Sequence, residues 1–488
     1  MGATPASLPR SVLSPPYLPA SIAIYTIVAL VAFEGLAVVA ALPQIAADLG
    51  DLRLIPWVIT SYLLTSSVAA VAAGPIIDAL GVRTVFLGAV SLFTVVGSAV
   101  AFSPNLPVMI PIRVVQGIGG GMVFAVAITA VGLVYPSHLI GRAFAANSTV
   151  WGVMSVAGPA LASALLTYLS WRWIFLVNLP IGLAALAAGW RAMPRGDRRG
   201  PARVDWLGMA WVSVFTGATL LAVDRLGVAS FPWLGLAVVA AFLYWRHARR
   251  ASDPVMRLEH LARQPFGGLA VGMGLLLAGA FCATTYLPLY VSAGLQGSTG
   301  LAAWSVLYFT IGWTVGSNLA SRATARWSET GVALWGYLLV VPALAVGALV
   351  AFADAPYWMT LATQTVAGVG VGIATNAALT LLRAVSRDEV LGRTNAAHQF
   401  LRTLGLSYGA ALGGALLLTV AVRTLGDIGL VERLLAGEIV TSADPGAAVR
   451  RGFSFTVAAG AMLTALGSLP ILALRRHLAA ARALRRPR

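Results

Sequence analysis

The feature that most constrains this chain is a succession of fourteen long apolar runs, separated by short segments rich in arginine, proline and glycine. Each run is close to the roughly 20 residues that a helix needs to cross a bilayer. With 59% hydrophobic and 10% charged residues over a length of 488, a soluble domain has too little interior to bury the runs. Because a backbone in lipid must satisfy its own hydrogen bonds, the sequence predicts an all-α integral membrane protein with fourteen transmembrane helices. The runs are 20–42, 55–77, 84–103, 107–134, 142–168, 173–190, 206–223, 232–245, 265–292, 301–319, 331–352, 357–382, 395–421 and 453–474.

The basic excess of the chain is a topology signal rather than a nucleic-acid surface. The net charge is +16, and all 33 basic residues are arginines. Most of them fall in alternate segments between the runs, on the same side as the two ends of the chain. Because arginine-rich loops remain in the cytoplasm, we predict a multi-pass protein of the cytoplasmic (inner) membrane with both termini inside.

Several kinds of catalytic chemistry are excluded by residues that the chain lacks. Without lysine there is neither a Walker A phosphate loop nor a lysine Schiff base. The five histidines have neither metal-ligand spacing nor carboxylates placed for a triad. The single cysteine, Cys282, has no partner for a disulfide. We therefore expect no enzyme, no metal and no cofactor, and transport has to be driven by a gradient or by another subunit.

Glu34 and Arg113 are ionisable residues that lie deep inside apolar runs. Glu34 is the only one of the 17 acidic residues in such a position. Arg113 opens the sequence Arg113-Val-Val-Gln116-Gly117-Ile-Gly-Gly-Gly. A charge in a membrane span is costly and by default marks a functional site. The glycines favour close helix packing over a dinucleotide-binding loop, because no strand precedes them.

The chain also contains an internal repeat with a shift of 251 residues. The shift places Gly117 on Gly368, and it places Arg113 on Gln364. Two copies of one helix set are typical of transporters whose substrate site lies between the copies, near the bilayer midplane. The charge of Arg113 therefore belongs to the first copy only.

Three further motifs complete the pattern. They are Gly74-Pro-Ile-Ile-Asp78-Ala-Leu-Gly81-Val-Arg83 between two runs, Gly158-Pro159 inside a run, and Ser170-Trp-Arg-Trp-Ile-Phe-Leu-Val-Asn178-Leu-Pro180-Ile-Gly182. Together with the segments around Glu34 and Arg113, they resemble the drug:proton antiporters of the major facilitator superfamily, especially the fourteen-span EmrB/QacA-like branch.

The resemblance implies the major facilitator fold, with two six-helix bundles and an inserted pair of helices between them. On this basis we divide the chain into five parts. They are a cytoplasmic tail (1–19), an N-terminal bundle (20–190), a linker with two extra transmembrane helices (191–264), a C-terminal bundle (265–474) and a basic cytoplasmic tail (475–488).

The resemblance also gives Glu34 and Arg113 a role in proton coupling. The family usually has aspartate at the acid position and asparagine five residues later, where this chain has Val39. The residues themselves leave two interpretations open, which are a coupling acid and a permanent Glu34–Arg113 structural pair.

A gating role is implied for the loop between the second and third runs, which in the family latches the cytoplasmic side. Gly74, Asp78, Gly81 and Arg83 match the family pattern, and a solvated turn is the alternative. Arg402 lies roughly two turns inside the thirteenth run. It either gates the same side or extends its side chain to the cytoplasm.

Gly158-Pro159 resembles the kink that separates exporters from importers, although proline kinks a helix in any protein. Candidate residues for the substrate cavity are polar or aromatic and lie in or near the helix interiors. They are Gln116, Trp151, Tyr286, Tyr290, Trp313 and Gln364. For the two tryptophans, packing against lipid or a neighbouring helix is the alternative.

These observations predict a proton-coupled antiporter that exports lipophilic small molecules or drugs by alternating access, and so supports multidrug efflux and antibiotic resistance. The alternatives are an exporter of a native metabolite or lipid, and a membrane sensor or assembly factor that no longer transports. The expected partners are the substrate, protons and the lipid bilayer, without nucleic acid, and we expect a monomer. Because Glu34 is the only acid in the runs, we expect substrates that are neutral or carry one positive charge.

Overall fold

The computed structural model describes residues 11–195, 204–224, 228–251, 254–255, 265–324, 326–385, 391–426 and 445–484, and no β-strand occurs among them. The α-helices are α1 (Leu18–Leu49), α2 (Ile55–Leu80), α3 (Val82–Val100), α4 (Leu106–Val134), α5 (Ser137–Tyr168), α6 (Arg172–Leu176), α7 (Asn178–Ala192), α8 (Trp206–Asp224), α9 (Phe231–Ala248), α10 (Phe266–Thr284), α11 (Thr299–Ala323), α12 (Glu329–Phe352), α13 (Tyr357–Val385), α14 (Leu391–Leu425) and α15 (Pro445–Leu484). A short helix, Leu287–Leu289, and a π-helical turn, Tyr290–Gly294, continue α10.

Twelve helical segments of the described chain are long and apolar enough to cross a membrane, with α6 and α7 forming one of them. The prediction of fourteen spans is not supported, because α9 and α11 fall short of the mean hydropathy that the twelve reach. The last turn of α9 contains Arg246 and His247, and α11 contains several serine and threonine residues and Asn318. The runs predicted at 232–245 and 301–319 are nevertheless helical.

The helices run back and forth between two ends of the molecule. We name the Gly50 end after the turn between α1 and α2, and the Gly81 end after the turn between α2 and α3. Both turns place a glycine at positive φ, at +64° for Gly50 and +82° for Gly81, which other residues rarely adopt. Helices α1 to α7 pack into one bundle, and α10 to α15 pack into a second.

Glycines set the close packing inside each bundle, and they do so twice in the same way. A Cβ atom at Gly117 of α4 would collide with the carbonyl oxygen of Tyr62 in α2. A Cβ atom at Gly368 of α13 would likewise collide with the carbonyl oxygen of Phe309 in α11. Small residues permit such approach, and van der Waals contact is a main source of helix association in lipid. The two copies of the repeat therefore share one packing scheme.

The two bundles touch each other at the Gly50 end. Gly414 of α14 lies so close to Pro56 of α2 that a Cβ atom there would collide with the proline ring. On the other side, a Cβ atom at Gly300 of α11 would lie 3.4 Å from Ser163 Oγ of α5. These contacts close the Gly50 end between the bundles.

The inserted pair, α8 and α9, covers the junction of α2 and α14. Val212 of α8 and Tyr244 of α9 share an apolar cluster with Phe400 and Leu404 of α14, and partly buried side chains of α2 pack against it. The pair therefore contacts both bundles on one side of the molecule.

Asp205 anchors the inserted pair at the Gly81 end. Its carboxylate accepts hydrogen bonds from the backbone amides of Gly208 at 2.8 Å and Val255 at 3.0 Å, and His247 Nε2 lies 2.6 Å from Oδ1. Burial acts to raise the pKa of the Asp205 carboxyl, but these contacts hold it below its ordinary value. One carboxylate thus ties the start of α8 to the segment that follows α9.

Candidate functional site

The carboxylate of Glu34 lies inside the N-terminal bundle and is 2% exposed. It is placed there by α1, a 32-residue helix whose neighbours α4, α5 and α7 surround it. An ionised carboxylate buried in this way is stable only when donors and an opposite charge compensate for its lost hydration.

Arg113 of α4 supplies the opposite charge. Its Nη1 forms a buried salt bridge with Glu34 Oε1, and Nη1 also donates to Gln116 Oε1 at 2.6 Å. Its Nε donates to the carbonyl oxygen of Val58 in α2 at 3.1 Å. The guanidinium carbon lies 4.4 Å from the centre of the Tyr62 ring, which adds a cation–π contact. The sequence left a Glu34–Arg113 pair as one of two interpretations, and the structure places the two side chains in contact.

Two side-chain amides complete the shell around the Glu34 carboxylate. Gln116 Nε2 donates to both carboxylate oxygens at 2.8 Å, and Asn178 Nδ2 of α7 donates to Oε2 at 2.6 Å. Gln116 and Asn178 are each 0% exposed. α1 has Val39 where the family usually has asparagine, so α1 offers no amide at that position. The amides that donate to Glu34 come from α4 and α7 instead.

Gly97 of α3 makes room for both amides. A Cβ atom at this position would lie 3.1 Å from Asn178 Nδ2 and closer still to Gln116 Nε2. Glycine at this point therefore lets α3 approach α4 and α7 over the cluster. We name Glu34, Arg113, Gln116 and Asn178 the carboxylate cluster.

The geometry gives the carboxylate cluster a definite chemical property. With Glu34 ionised, the pair is neutral and every oxygen of the carboxylate has a donor. With Glu34 protonated, the positive charge of Arg113 has no counter-charge in the cluster. Gain or loss of one proton therefore changes the forces between α1, α4 and α7.

The gating residues at the Gly81 end whose side chains the structure describes make separate contacts. Gly81 ends α2 and precedes α3, and its amide donates to the carbonyl oxygen of Ile77 at 2.8 Å. The guanidinium carbon of Arg83 lies 5.0 Å from the centre of the Trp190 ring of α7. Gly74 is exposed, and the side chain of Asp78 lies outside the described residues. The latch formed by Asp78 and Arg83 stays a prediction.

Gly158 and Pro159 are buried within α5, and Gly158 faces α1. A Cβ atom at Gly158 would lie 3.3 Å from Leu36 Cδ1, two residues beyond Glu34. The glycine–proline pair thus packs against the helix that holds the carboxylate.

Arg402 lies in the C-terminal bundle, on α14, and is partly buried. Its guanidinium carbon is 5.6 Å from the centre of the Trp313 ring of α11, which packs edge-on against Phe309 at 5.8 Å. The sequence analysis selected Arg402 as a possible gate and Trp313 as a possible cavity residue. In the structure the two side chains are neighbours.

The other predicted cavity residues occupy separate places. Gln116 belongs to the carboxylate cluster, and Gln364 accepts a hydrogen bond from Thr284 Oγ1 at 3.3 Å in the C-terminal bundle. Trp151 is 39% exposed. Tyr290 is 0% exposed and stacks on Phe453 with ring centres 4.3 Å apart.

Tyr286 is also buried and donates to the carbonyl oxygen of Ala410 at 2.7 Å. It borders a small apolar recess of about 10 Å³ at the Gly50 end. Ligand pockets usually measure roughly 300–1,000 Å³, so this recess is too small for the predicted substrates. It is lined by Ile55, Pro56, Tyr286, Leu289, Gly414, Leu417 and Leu418.

Asn178 and Tyr62 are the site residues that sequence reasoning missed. Asn178 was visible as part of the Trp-Arg-Trp motif, but a buried amide alone is too common to mark a site. Tyr62 had no signal at all, because its contact with Arg113 depends on the rotation of α2.

Comparison with known proteins agrees with the fold. The sequence pattern of the Major Facilitator Superfamily matches residues 22–410. A putative multidrug resistance protein, MdtD, of Pectobacterium carotovorum is 30% identical over 385 residues, which cover 77% of this chain and 82% of that protein. An uncharacterized MFS-type transporter of Mycobacterium tuberculosis is 29% identical over 428 residues, or 84% of this chain, and the chain spans 60% of that relative's length.

Solved structures show the same architecture at low identity. A bacterial homologue of the human lysosomal transporter Spinster, inward-facing and unoccupied, matches with a TM-score of 0.64 at 16% identity, over 95% of this chain and 98% of that chain. A D-xylose–proton symporter matches with a TM-score of 0.62 at 13% identity, over 86% of this chain and 94% of that chain. The helical fold, the family pattern and the relatives lead to one conclusion, which is that this chain belongs to the major facilitator superfamily of membrane transporters.

Proposed function

We propose that the chain is a proton-coupled antiporter of the EmrB/QacA-like branch, which exports lipophilic small molecules by alternating access between its two bundles. The observation that carries the proposal is the carboxylate cluster, where Glu34 is 2% exposed and paired with Arg113. Relatives named as multidrug transporters, from Pectobacterium carotovorum and Bacillus subtilis, support the choice of substrate class.

The proposed coupling follows from how the cluster is built. Proton uptake by Glu34 removes the attraction that holds α1 to α4 and leaves Arg113 with only its amide, carbonyl and aromatic contacts. Because Leu36 of α1 contacts Gly158 of α5, movement of α1 is passed to the helix that faces the second bundle. Protonation then favours the state in which the bundles separate at the Gly50 end.

The driving force depends on the charge of the cargo. Exchange of a neutral molecule for one proton moves one positive charge inward per cycle. Both the pH gradient and the membrane potential then contribute, the latter by about 2.3 kcal/mol per charge for each 100 mV.

The test begins with a dye panel in a pump-deficient bacterium, measured with and without a proton uncoupler. A dye that is exported is then used in proteoliposomes with an imposed pH gradient. We expect Glu34→Gln to abolish pH-driven movement and Glu329→Gln, at the start of α12, to leave it unchanged. Retained pH-driven transport in Glu34→Gln means that the Glu34–Arg113 pair is only structural.

We further propose that α9 and α11 also cross the bilayer, giving fourteen spans with both termini in the cytoplasm. The location of the end of α9 tests this arrangement, because the two ends of α9 lie on opposite sides of the membrane only if α9 crosses it. Cys282 is buried, so cysteines introduced at exposed positions can be labelled without background. Arg250→Cys and Thr84→Cys should react with an impermeant maleimide in inverted vesicles and not in intact cells. Labelling of Arg250→Cys alone in intact cells contradicts the fourteen-span arrangement.

A further inference from the structure

The C-terminal bundle contains a cation that the carboxylate cluster does not explain. Arg402 lies 11 residues after the start of α14, within the apolar segment His398–Leu425. Arg113, the other arginine deep in a span, is neutralised by Glu34. Among the residues that the structure describes, Arg402 has neither a salt bridge nor a hydrogen bond to a carboxylate. A cation–π contact with Trp313 offsets only part of the cost of a charge in a membrane span.

The position of Arg402 is defined by its neighbours. Its guanidinium reaches from α14 to Trp313 of α11, so the side chain joins the two helices that face the N-terminal bundle. The residue after Trp313 contacts that bundle, since a Cβ atom at Gly152 of α5 would lie 3.8 Å from Thr314 Cγ2. His398, one turn before Arg402 on α14, is 5% exposed and adds a second basic group.

Arg402 also lies on the open side of the bundle contact. The closing contact at Pro56 involves Gly414, which is 12 residues further along α14. At 1.5 Å per residue this places Arg402 roughly 18 Å from that contact, toward the Gly81 end. The cation and the indole ring therefore lie on the two helices that face the N-terminal bundle, on the Gly81 side of the closing contact.

The charges of this region favour an anion. Glu34 is the only acid deep in an apolar run, and it is enclosed by Arg113, Gln116 and Asn178. A cationic substrate therefore finds no free carboxylate away from the ends of the described spans, whereas an anionic one finds Arg402. The expectation of neutral or monocationic substrates assumed that Glu34 faces the substrate, and its enclosure removes that premise.

We propose that Arg402 and Trp313 form the substrate-recognition site of this chain, and that the site takes a lipophilic aromatic monocarboxylate. The carboxylate pairs with the guanidinium, whose planar fork matches it in two parallel hydrogen bonds, and the aromatic body packs on the indole ring. His398 contributes a further hydrogen-bond donor at the same point. The inference rests on the proposed transport function and names its substrate class.

The test measures binding rather than transport, so its result holds whether or not the chain couples to protons. The full chain in lipid nanodiscs is titrated at neutral pH with 2-naphthoic acid, its neutral amide and 2-naphthylmethylammonium. We expect the acid to bind about tenfold or more tightly than the amide, as a charge-assisted hydrogen bond implies, and the ammonium to bind most weakly.

Substitutions at two positions separate the parts of the site. Arg402→Gln should remove the preference for the acid over the amide, and Arg402→Lys should restore part of it. Trp313→Leu should weaken the binding of the acid and of the amide by the same factor, so that the ratio of their dissociation constants stays the same. Glu329→Gln serves as the matched control outside the site.

The proposal is overturned by equal binding of the three compounds, by tighter binding of the ammonium, or by no saturable binding of any of them. It is also overturned if Arg402→Gln keeps the preference for the acid. Should Arg402→Gln fail to fold, Arg402→Lys and Trp313→Leu supply the same contrast between charge and ring.

Discussion

The two bundles share one packing scheme but treat their buried charge in opposite ways. In the N-terminal bundle, Arg113 is matched by Glu34 within hydrogen-bonding distance, and the pair is closed off from its surroundings. In the C-terminal bundle, the repeat places the neutral Gln364 at the equivalent position, and the charge is instead on Arg402, beside an indole ring. In the proposed function, the first arrangement changes its charge by gaining a proton, and the second has a fixed charge that a ligand neutralises. A few side chains thus distinguish two bundles whose helices pack in the same way.

The largest expected effect comes from breaking the pair in the N-terminal bundle. Arg113→Gln leaves Glu34 buried without a counter-charge, which should cost about 3–5 kcal/mol of stability. The measurement is the thermal unfolding midpoint of the purified protein in nanodiscs, compared among Arg113→Gln, Glu34→Gln and the double variant. We expect the double variant to be more stable than Arg113→Gln alone. Additive losses would mean that the two charges do not interact.

The next largest loss of stability is expected when an amide donor of the carboxylate cluster is removed. Asn178→Leu removes the donor at 2.6 Å from Glu34 Oε2, and a hydrogen bond to a charged group contributes about 1.5–3 kcal/mol. The unfolding midpoint should fall by less than it does in Arg113→Gln. In a Glu34→Gln background the loss from Asn178→Leu should shrink, and a loss of the same size would show that Asn178 acts through packing alone.

The shared packing scheme can be tested with a pair of glycines. Gly117→Ala and Gly368→Ala each place a methyl group against the backbone of a neighbouring helix, and overpacking typically costs about 1–3 kcal/mol. Gly35→Ala is the matched control, because nothing lies within 4 Å of its Cβ position. We expect similar losses at Gly117 and Gly368 and none at Gly35. A clear difference between the stability losses of Gly117→Ala and Gly368→Ala would show that the two bundles are not structurally equivalent at this contact.

The smallest effect, and one of opposite sign, is expected at Arg402. Replacing it by glutamine removes a buried cation that has no carboxylate partner among the described residues, at the loss of one cation–π contact of about 0.5–2 kcal/mol. The unfolding midpoint of Arg402→Gln should therefore be unchanged or slightly higher, while that of Arg113→Gln falls. A large loss at Arg402 would mean that its charge is part of the structure, as at Arg113.

The sequence was sufficient to predict where the helices lie and to select Glu34 and Arg113 as candidate site residues. Both predictions depend on hydropathy and on charge within an apolar run, which are local properties. The sequence was not sufficient to predict which side chains contact Glu34 and Arg113. Whether Asn178 reaches Glu34, or Tyr62 reaches Arg113, depends on how far each helix is rotated about its axis, and that is set by packing on other helices. Hydropathy alone counts twelve spans for a related reason, since α11 buries the polar side chains of Ser305 and Thr310, which lower its mean hydropathy.

The contact between Gly414 and Pro56 contributes to the free energy that is needed to open the Gly50 end. Because the glycine lets the proline ring lie directly on α14, separating this contact exposes the apolar groups around it, at about 25 cal/mol for each Å². A proton, by comparison, shifts the balance between two states by about 1.4 kcal/mol for each unit by which the pKa of its binding group differs between them. If the titration of one carboxylate opens this end, as proposed, its free energy has to offset the surface that the contact exposes.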